Sequence, residues 1–144
     1  MKIIYGNITN ADDVDFIVNA SNTRLILGSG VSMAIKRHCG FEIEREMTLF
    51  APINLGDVVK TSAGKATNFK ALLHAAITDI KIPTTIQVVH DALVNIDKYC
   101  TQNSKLAIPL LGTGSGKLDK IEVMNLFKTF FENVKYEVNV YVLP

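Results

Sequence analysis

The stretch Asn19-Ala20-Ser21-Asn22-Thr23-Arg24-Leu25-Ile26-Leu27-Gly28-Ser29-Gly30 constrains this chain more than any other. An apolar run ending at Val18 precedes it and an amphipathic pattern beginning at Val31 follows it, so the order is strand, polar glycine-bearing loop, helix. The first N–H groups of a helix have no intrahelical partner, and glycines let phosphates approach them closely. The loop is therefore a candidate anion site, although a Gly-Ser-Gly before a helix also serves as a plain turn.

The rest of the chain alternates strand and helix patterns. Residues 2 to 5 read as a strand, and Val14–Ala20 as one buried on both faces, the habit of parallel sheets. Val31, Ala34, Ile35 and Cys39 repeat at helical spacing up to a stop at Gly40, and a short helix over Phe41–Leu49 ends near Pro52. Gly56–Thr61 and Phe69–Ala76 read as strands joined by a turn with Gly64 and Asn68. After Pro83, the positions Ile86, Val89, Leu93, Ile96 and Cys100 share one face of a helix of about five turns. Lys105–Ile108 is a strand with Pro109 at its end.

A second glycine loop follows, from Leu111 to Lys117. Asp119 then reads as an N-cap with Glu122 three residues on, and Val123, Leu126, Phe127 and Phe130 form the buried face of a helix before a closing strand, Val138–Leu143. Such alternation predicts an α/β sandwich with helices on both faces of the sheet. Both glycine loops would then lie at the carboxyl edge of the strands, where open α/β sheets bind ligands, and together they favour a phosphate or diphosphate.

The 144 residues fit one domain spanning 1–144, with 48% hydrophobic and 20% charged residues. Fifteen basic and 14 acidic side chains leave a formal charge of +1, so no overall field draws in nucleic acid or a membrane surface. Cys39 and Cys100 each fall in a helical pattern and in no metal-ligand spacing, which predicts reduced thiols and no bound metal. No signal peptide or membrane span is read, so the expectation is a cytoplasmic monomer.

Neither loop is a Walker A motif, a G-x-G-x-x-G dinucleotide fingerprint or a G-x-S-x-G nucleophile elbow. What they offer is backbone N–H groups, hydroxyls and carboxamides. Asn19 and Asn22 suit ribose hydroxyls, while Gly28, Ser29, Gly30 and Val31, with Gly112, Thr113, Gly114, Ser115 and Gly116, can wrap phosphates. Asn19 also reads as a satisfied polar residue tying loop to strand, and His74 as a structural residue of an interior strand. His38 and His90 fall on helices away from the loops.

Gly6-Asn7-Ile8-Thr9, the block Val14 to Asn22, and Gly28-Ser29-Gly30-Val31 with Ala34-Ile35 resemble the opening signature of macro domains, which bind ADP-ribose. The likeness continues through Gly56–Thr61, Leu73-His74-Ala75 and Ile108–Gly114. It implies a three-layer α/β/α sandwich around a mixed, mostly parallel sheet, with the ligand in a cleft at its edge. It further implies that Asn22 holds the distal ribose as the catalytic residue, that Ile8 lies against the adenine, and that Ala20 belongs to the contact set. No cofactor is implied.

Three positions depart from the family pattern. Asn7 stands where an aspartate usually binds the adenine amino group, and its carboxamide oxygen is expected to accept that bond without charge assistance. Ser32 stands where hydrolases of the MacroD type carry an aspartate, and Gly116, beside Lys117, where many members have an aromatic residue. The resemblance therefore implies hydrolysis of mono-ADP-ribosyl esters, on protein or in O-acetyl-ADP-ribose. A non-catalytic ADP-ribose reader and an ADP-ribose 1″-phosphate phosphatase are the alternatives.

Overall fold

A computed structural model describes residues 1–28 and 30–144, so the contact expected of Ser29 lies outside the described residues. Among the described residues six strands form one sheet in the order β1-β6-β5-β2-β4-β3. They are β1 (Lys2–Tyr5), β2 (Val14–Asn22), β3 (Val58–Ser62), β4 (Phe69–Thr78), β5 (Lys105–Pro109) and β6 (Glu137–Val142). Every pairing is parallel except the edge hairpin of β3 with β4, whose register matches Lys60 with Leu73 and Thr61 with Leu72. This is the expected three-layer α/β/α sandwich around a mixed sheet.

The apolar run of β2 explains its central place. Ile17 and Val18 point to opposite faces and are fully buried in two separate cores. Helices α1 (Val31–Cys39) and α2 (Glu42–Thr48) cover one face with Ile35, Cys39, Ile43 and Met47. Helices α3 (Ile86–Asp97) and α4 (Lys120–Phe130) cover the other with Val89, Leu93, Ile96, Val123 and Phe127. Each such side chain, removed from water, contributes about 1.5–3 kcal/mol.

The terminators act as their chemistry dictates. Gly40 caps α1 at φ 92°, with its N–H on the Lys36 carbonyl. Thr85 caps α3 by accepting from the Val88 N–H, and Asp119 caps α4 by accepting from the Glu122 N–H.

Several boundaries differ from expectation, among them β3, which starts at Val58 and not Gly56. Helix α3 stops at Asp97, and the N–H groups of Tyr99 and Cys100 turn back to the carbonyls of Ile96 and Asp97 in tightened turns, so Cys100 lies past the helix. Strand β4 runs two residues further, to Thr78, and β2 reaches Asn22 by way of a register shift at Ser21/Asn22. A 3-10 turn, Ile8–Asn10, follows β1 where no element was expected. Among the described residues no helix is long and apolar enough to cross a membrane.

Candidate functional site

At the carboxyl ends of the parallel strands lies a cleft of about 380 Å³. It crosses the ends of β1, β6, β5, β2 and β4, a span of roughly 19 Å at ordinary strand spacing. The cleft brings together Asn7, Ile8, Ala20, Asn22, Gly28, Gly30, Val31, Gly112, Thr113, Gly114, Ser115 and Gly116.

Asn22 turns the chain at the start of the first glycine loop. Its Oδ1 accepts from the N–H groups of Arg24 (3.1 Å) and Ile26 (3.2 Å), and its Nδ2 donates to the Ile26 carbonyl (2.9 Å). One Nδ2 hydrogen remains for a ligand. The loop is tied to the end of β4 by Thr23 Oγ1, which donates to Asp79 Oδ1 at 2.6 Å. That bond, with the N–H groups of Lys81 and Ile82, holds the Asp79 carboxyl below the usual carboxylate range. Gly30 then turns the chain into α1 at φ 57°. The N–H groups of Gly30, Val31 and Ser32 have no protein partner among the described residues.

The second loop closes on itself. The Leu118 N–H donates to the Gly112 carbonyl (2.9 Å) and the Lys117 N–H to the Gly114 carbonyl (3.0 Å). A Cβ on Gly116 would sit 2.6 Å from the Gly112 carbonyl oxygen, so the loop leaves no room for a side chain at that position. The N–H groups of Gly114, Ser115 and Gly116 have no protein partner among the described residues. Two sets of N–H groups without a partner among the described residues therefore belong to residues that line one cleft, one of them at a helix N-terminus whose dipole favours negative charge. Lys120, at the start of α4, adds a positive charge to the lining.

Asn19 does not line the cleft and corrects the expectation of a ligand contact. It is fully buried, for its place in β2 turns it inward. Its Nδ2 donates to His74 Nδ1 at 2.9 Å, and its Oδ1 accepts from Ser32 Oγ at 2.9 Å. His74 Nδ1 is thus an acceptor, so Nε2 carries the proton and donates to Thr61 Oγ1 at 2.8 Å. Burial pushes the imidazole down to about 4 from its ordinary 6.5, so it is neutral at pH 7.

Ser32, 4% exposed, ends this chain of bonds at the cleft. Its proton is shared between Asn19 Oδ1 and the Ala20 carbonyl at 3.0 Å. Lys120 and Tyr141 are the ionisable side chains among the described lining residues, with no carboxylate or imidazole beside them.

Asn7 also differs from expectation. Its Oδ1 is taken by the Thr9 N–H (3.0 Å) and Thr9 Oγ1 (2.8 Å), since it caps the 3-10 turn, so that oxygen has no lone pair left for an amine. The sequence reading missed Tyr141, Val142 and Leu143 of the β6 end, Ile77 and Thr78 of the β4 end, Lys120 and Ser21. Only the pattern of strand ends could have signalled most of them. Ser21 is 3% exposed and its Oγ has no partner among the described residues. Ser21→Ala is therefore expected to leave the stability unchanged or raise it by up to about 1 kcal/mol in urea denaturation, since no bond is lost and a buried hydroxyl is removed. A loss above about 1 kcal/mol would reveal a bonded hydroxyl.

The family model of the macro domain matches residues 18–127. The chain belongs to the macro-domain family. An uncharacterized protein of Aquifex aeolicus is 41% identical over 125 residues, covering 83% of this macro domain and 73% of that protein. An uncharacterized protein of Mycobacterium tuberculosis is 37% identical over 106 residues, covering 72% of this chain and only 29% of its own length. Among solved structures, the macrodomain of Mycobacterium tuberculosis DarG superposes with a TM-score of 0.85 at 20% identity, covering 99% of this chain and 98% of that one. A Trypanosoma brucei macrodomain in complex with ADP-ribose gives 0.80 at 20% identity, covering 96% and 61%. At such identities the structural likeness speaks for the macro-domain fold.

Proposed function

We propose that this macro domain binds ADP-ribose in the cleft and hydrolyses mono-ADP-ribosyl esters, protein-linked or in O-acetyl-ADP-ribose. The observation that carries this reading is the pair of glycine loops that both line one cleft and whose N–H groups have no partner among the described residues. A diphosphate between them would be bound by backbone dipoles fixed before the ligand arrives. The Asn22 amide, with one hydrogen to spare, meets the distal ribose at the β4 end, and the apolar wall of Ile8 and Leu143 takes the base at the β1 end.

With no carboxylate or imidazole among the described lining residues, the general base is the ligand's own phosphate, bent toward the anomeric carbon by the two loops. The same observation favours a second reading, a reader module that holds ADP-ribose without turnover.

Incubation with a protein mono-ADP-ribosylated on glutamate decides between them. Release of free ADP-ribose, lost in Asn22→Ala, is the expected outcome. Calorimetric binding of ADP-ribose without any release would establish the reader, and no binding at millimolar ligand would overturn both.

A further inference from the structure

The turn between β4 and α3, residues 79–84, forms a lip at the Asn22 end of the cleft. Thr23 of the first glycine loop ties down one side, its N–H donating to the Thr78 carbonyl at 3.1 Å and its hydroxyl to Asp79. Thr84 ties down the other. Its Oγ1 donates to the Ile77 carbonyl at 2.8 Å, and a Cβ on Gly116 of the second loop would meet the Thr84 Cβ at 3.1 Å. The Lys81 and Ile82 N–H groups fold back on Asp79 Oδ2 at 3.0 and 3.1 Å, so the turn is fixed between the two loops.

This lip exposes apolar surface. Ile80 is 72% exposed and Ile82 57%, and in the loop that Thr23 ties to them Ile26 is 53% exposed and lines the cleft. Single exposed isoleucines are ordinary, but three on two segments bonded together at a cleft mouth have the pattern of a contact surface. Arg24 and Lys81 stand among them, exposed and without an ion pair among the described residues. The carboxylate of the turn, Asp79, is engaged by Thr23 and two N–H groups, and the two cations outweigh it.

We propose that this lip docks the polypeptide that carries the ADP-ribosyl group, through apolar side chains and carboxylates flanking the modified residue. The proposal rests on the reading that ADP-ribose lies in the cleft with its distal ribose beside Asn22. In that pose whatever is attached to the distal ribose leaves the cleft across the lip, where Asn22 pairs with Thr78 at the end of β4. Carboxylates complement Arg24 and Lys81, and apolar side chains cover the isoleucines. An acetyl group is too small to cover them, so the protein-linked ester gains contacts that the small one lacks.

Calorimetry tests this with free ADP-ribose and two peptides that carry ADP-ribose on a central glutamine, through an amide that resists ester hydrolysis. One peptide has leucine and glutamate on both sides of that residue, the other glycine and serine. The native protein is expected to bind the leucine-glutamate peptide about tenfold more tightly than the other two ligands, a factor that partial cover of two isoleucines supplies. The double variant Ile80→Ser with Ile82→Ser alters side chains already largely in water, so its urea midpoint and its affinity for free ADP-ribose are kept. Its advantage for the leucine-glutamate peptide is expected to fall to about twofold. Lys81→Glu should cut the same advantage about threefold and make it less sensitive to salt.

Equal affinity for the two peptides, or an advantage that survives in the double variant, would overturn the docking surface while leaving ADP-ribose binding intact. Self-association of the native protein that the double variant abolishes would assign the lip to a second copy and overturn it as well. Absence of binding by all three ligands at millimolar concentration would overturn it together with the reading on which it rests.

Discussion

Gly28→Glu is expected to abolish ADP-ribose binding in a protein that still folds. A Cβ at Gly28 meets nothing within 4 Å, and its backbone is not in the left-handed region, so the substitution brings no strain. Gly28 lines the cleft, and a carboxylate there faces the proposed diphosphate. Two like charges about 4 Å apart near a protein surface repel by about 4 kcal/mol, which converts to an affinity loss on the order of a thousandfold. Gly30→Glu should lose binding as well, but with a second cost. Gly30 sits at φ 57° with ψ −129°, outside the left-handed helical basin and in a region that suits glycine almost alone, so an L side chain there is strained by about 1–3 kcal/mol. Calorimetry for binding and urea denaturation for stability separate the two. Full affinity in a folded Gly28→Glu protein would place the ligand elsewhere.

The second large effect belongs to His74. Its neutral imidazole accepts from Asn19 on β2 and donates to Thr61 on the edge strand β3, and burial holds it at about 4 against 6.5 in the unfolded chain. A lowered folded value means that the unfolded state binds the proton first. Stability is therefore unaffected above about pH 6.5 and is lost as pH falls from there toward 4, by about 3 kcal/mol in all. Among the described residues no carboxylate hydrogen-bonds to the imidazole, and the Glu46 charge opposes the shift.

His74→Gln can keep one acceptor and one donor but cannot titrate. Its loss of stability between pH 7 and pH 5 should be about 2 kcal/mol smaller than that of the native protein. His74→Leu leaves Asn19 Nδ2 without its His74 partner in the interior and removes the bond that Thr61 Oγ1 accepts, although that hydroxyl keeps its own bond to the Ser62 carbonyl, and about 2–4 kcal/mol is expected to be lost at pH 7. Urea titrations at the two pH values measure both. Parallel pH dependence in the native protein and His74→Gln would show that the imidazole does not titrate there.

The elements that read correctly from the sequence are those whose signal is local. The continuous apolar run of β2, the Gly40 stop and the Asp119 cap each need only a few neighbouring residues to be understood. The glycine loops were legible for the same reason. Asn19 and Asn22 are three residues apart and of one type, yet one is buried among His74 and Ser32 and the other turns a loop. Strand alternation and the register shift at Ser21/Asn22 separate them, and a sequence does not show where such a shift falls. Asn7 read as an acceptor because its competing partner, Thr9, belongs to a 3-10 turn too short to leave a periodic pattern. The wall supplied by Tyr141–Leu143 depends on β6 pairing between β1 and β5, a contact between distant parts of the chain. The helix stop before Cys100 was hidden because the apolar spacing runs on past the last helical hydrogen bond.

The central claim is that the two glycine loops hold a diphosphate between them. A crystal structure of the protein with ADP-ribose tests it most directly. The account predicts the diphosphate within hydrogen-bond distance of the N–H groups of Gly30–Ser32 on one side and Gly114–Gly116 on the other, with the distal ribose beside Asn22. Ligand density outside this cleft, or an empty cleft at saturating ADP-ribose, would contradict it.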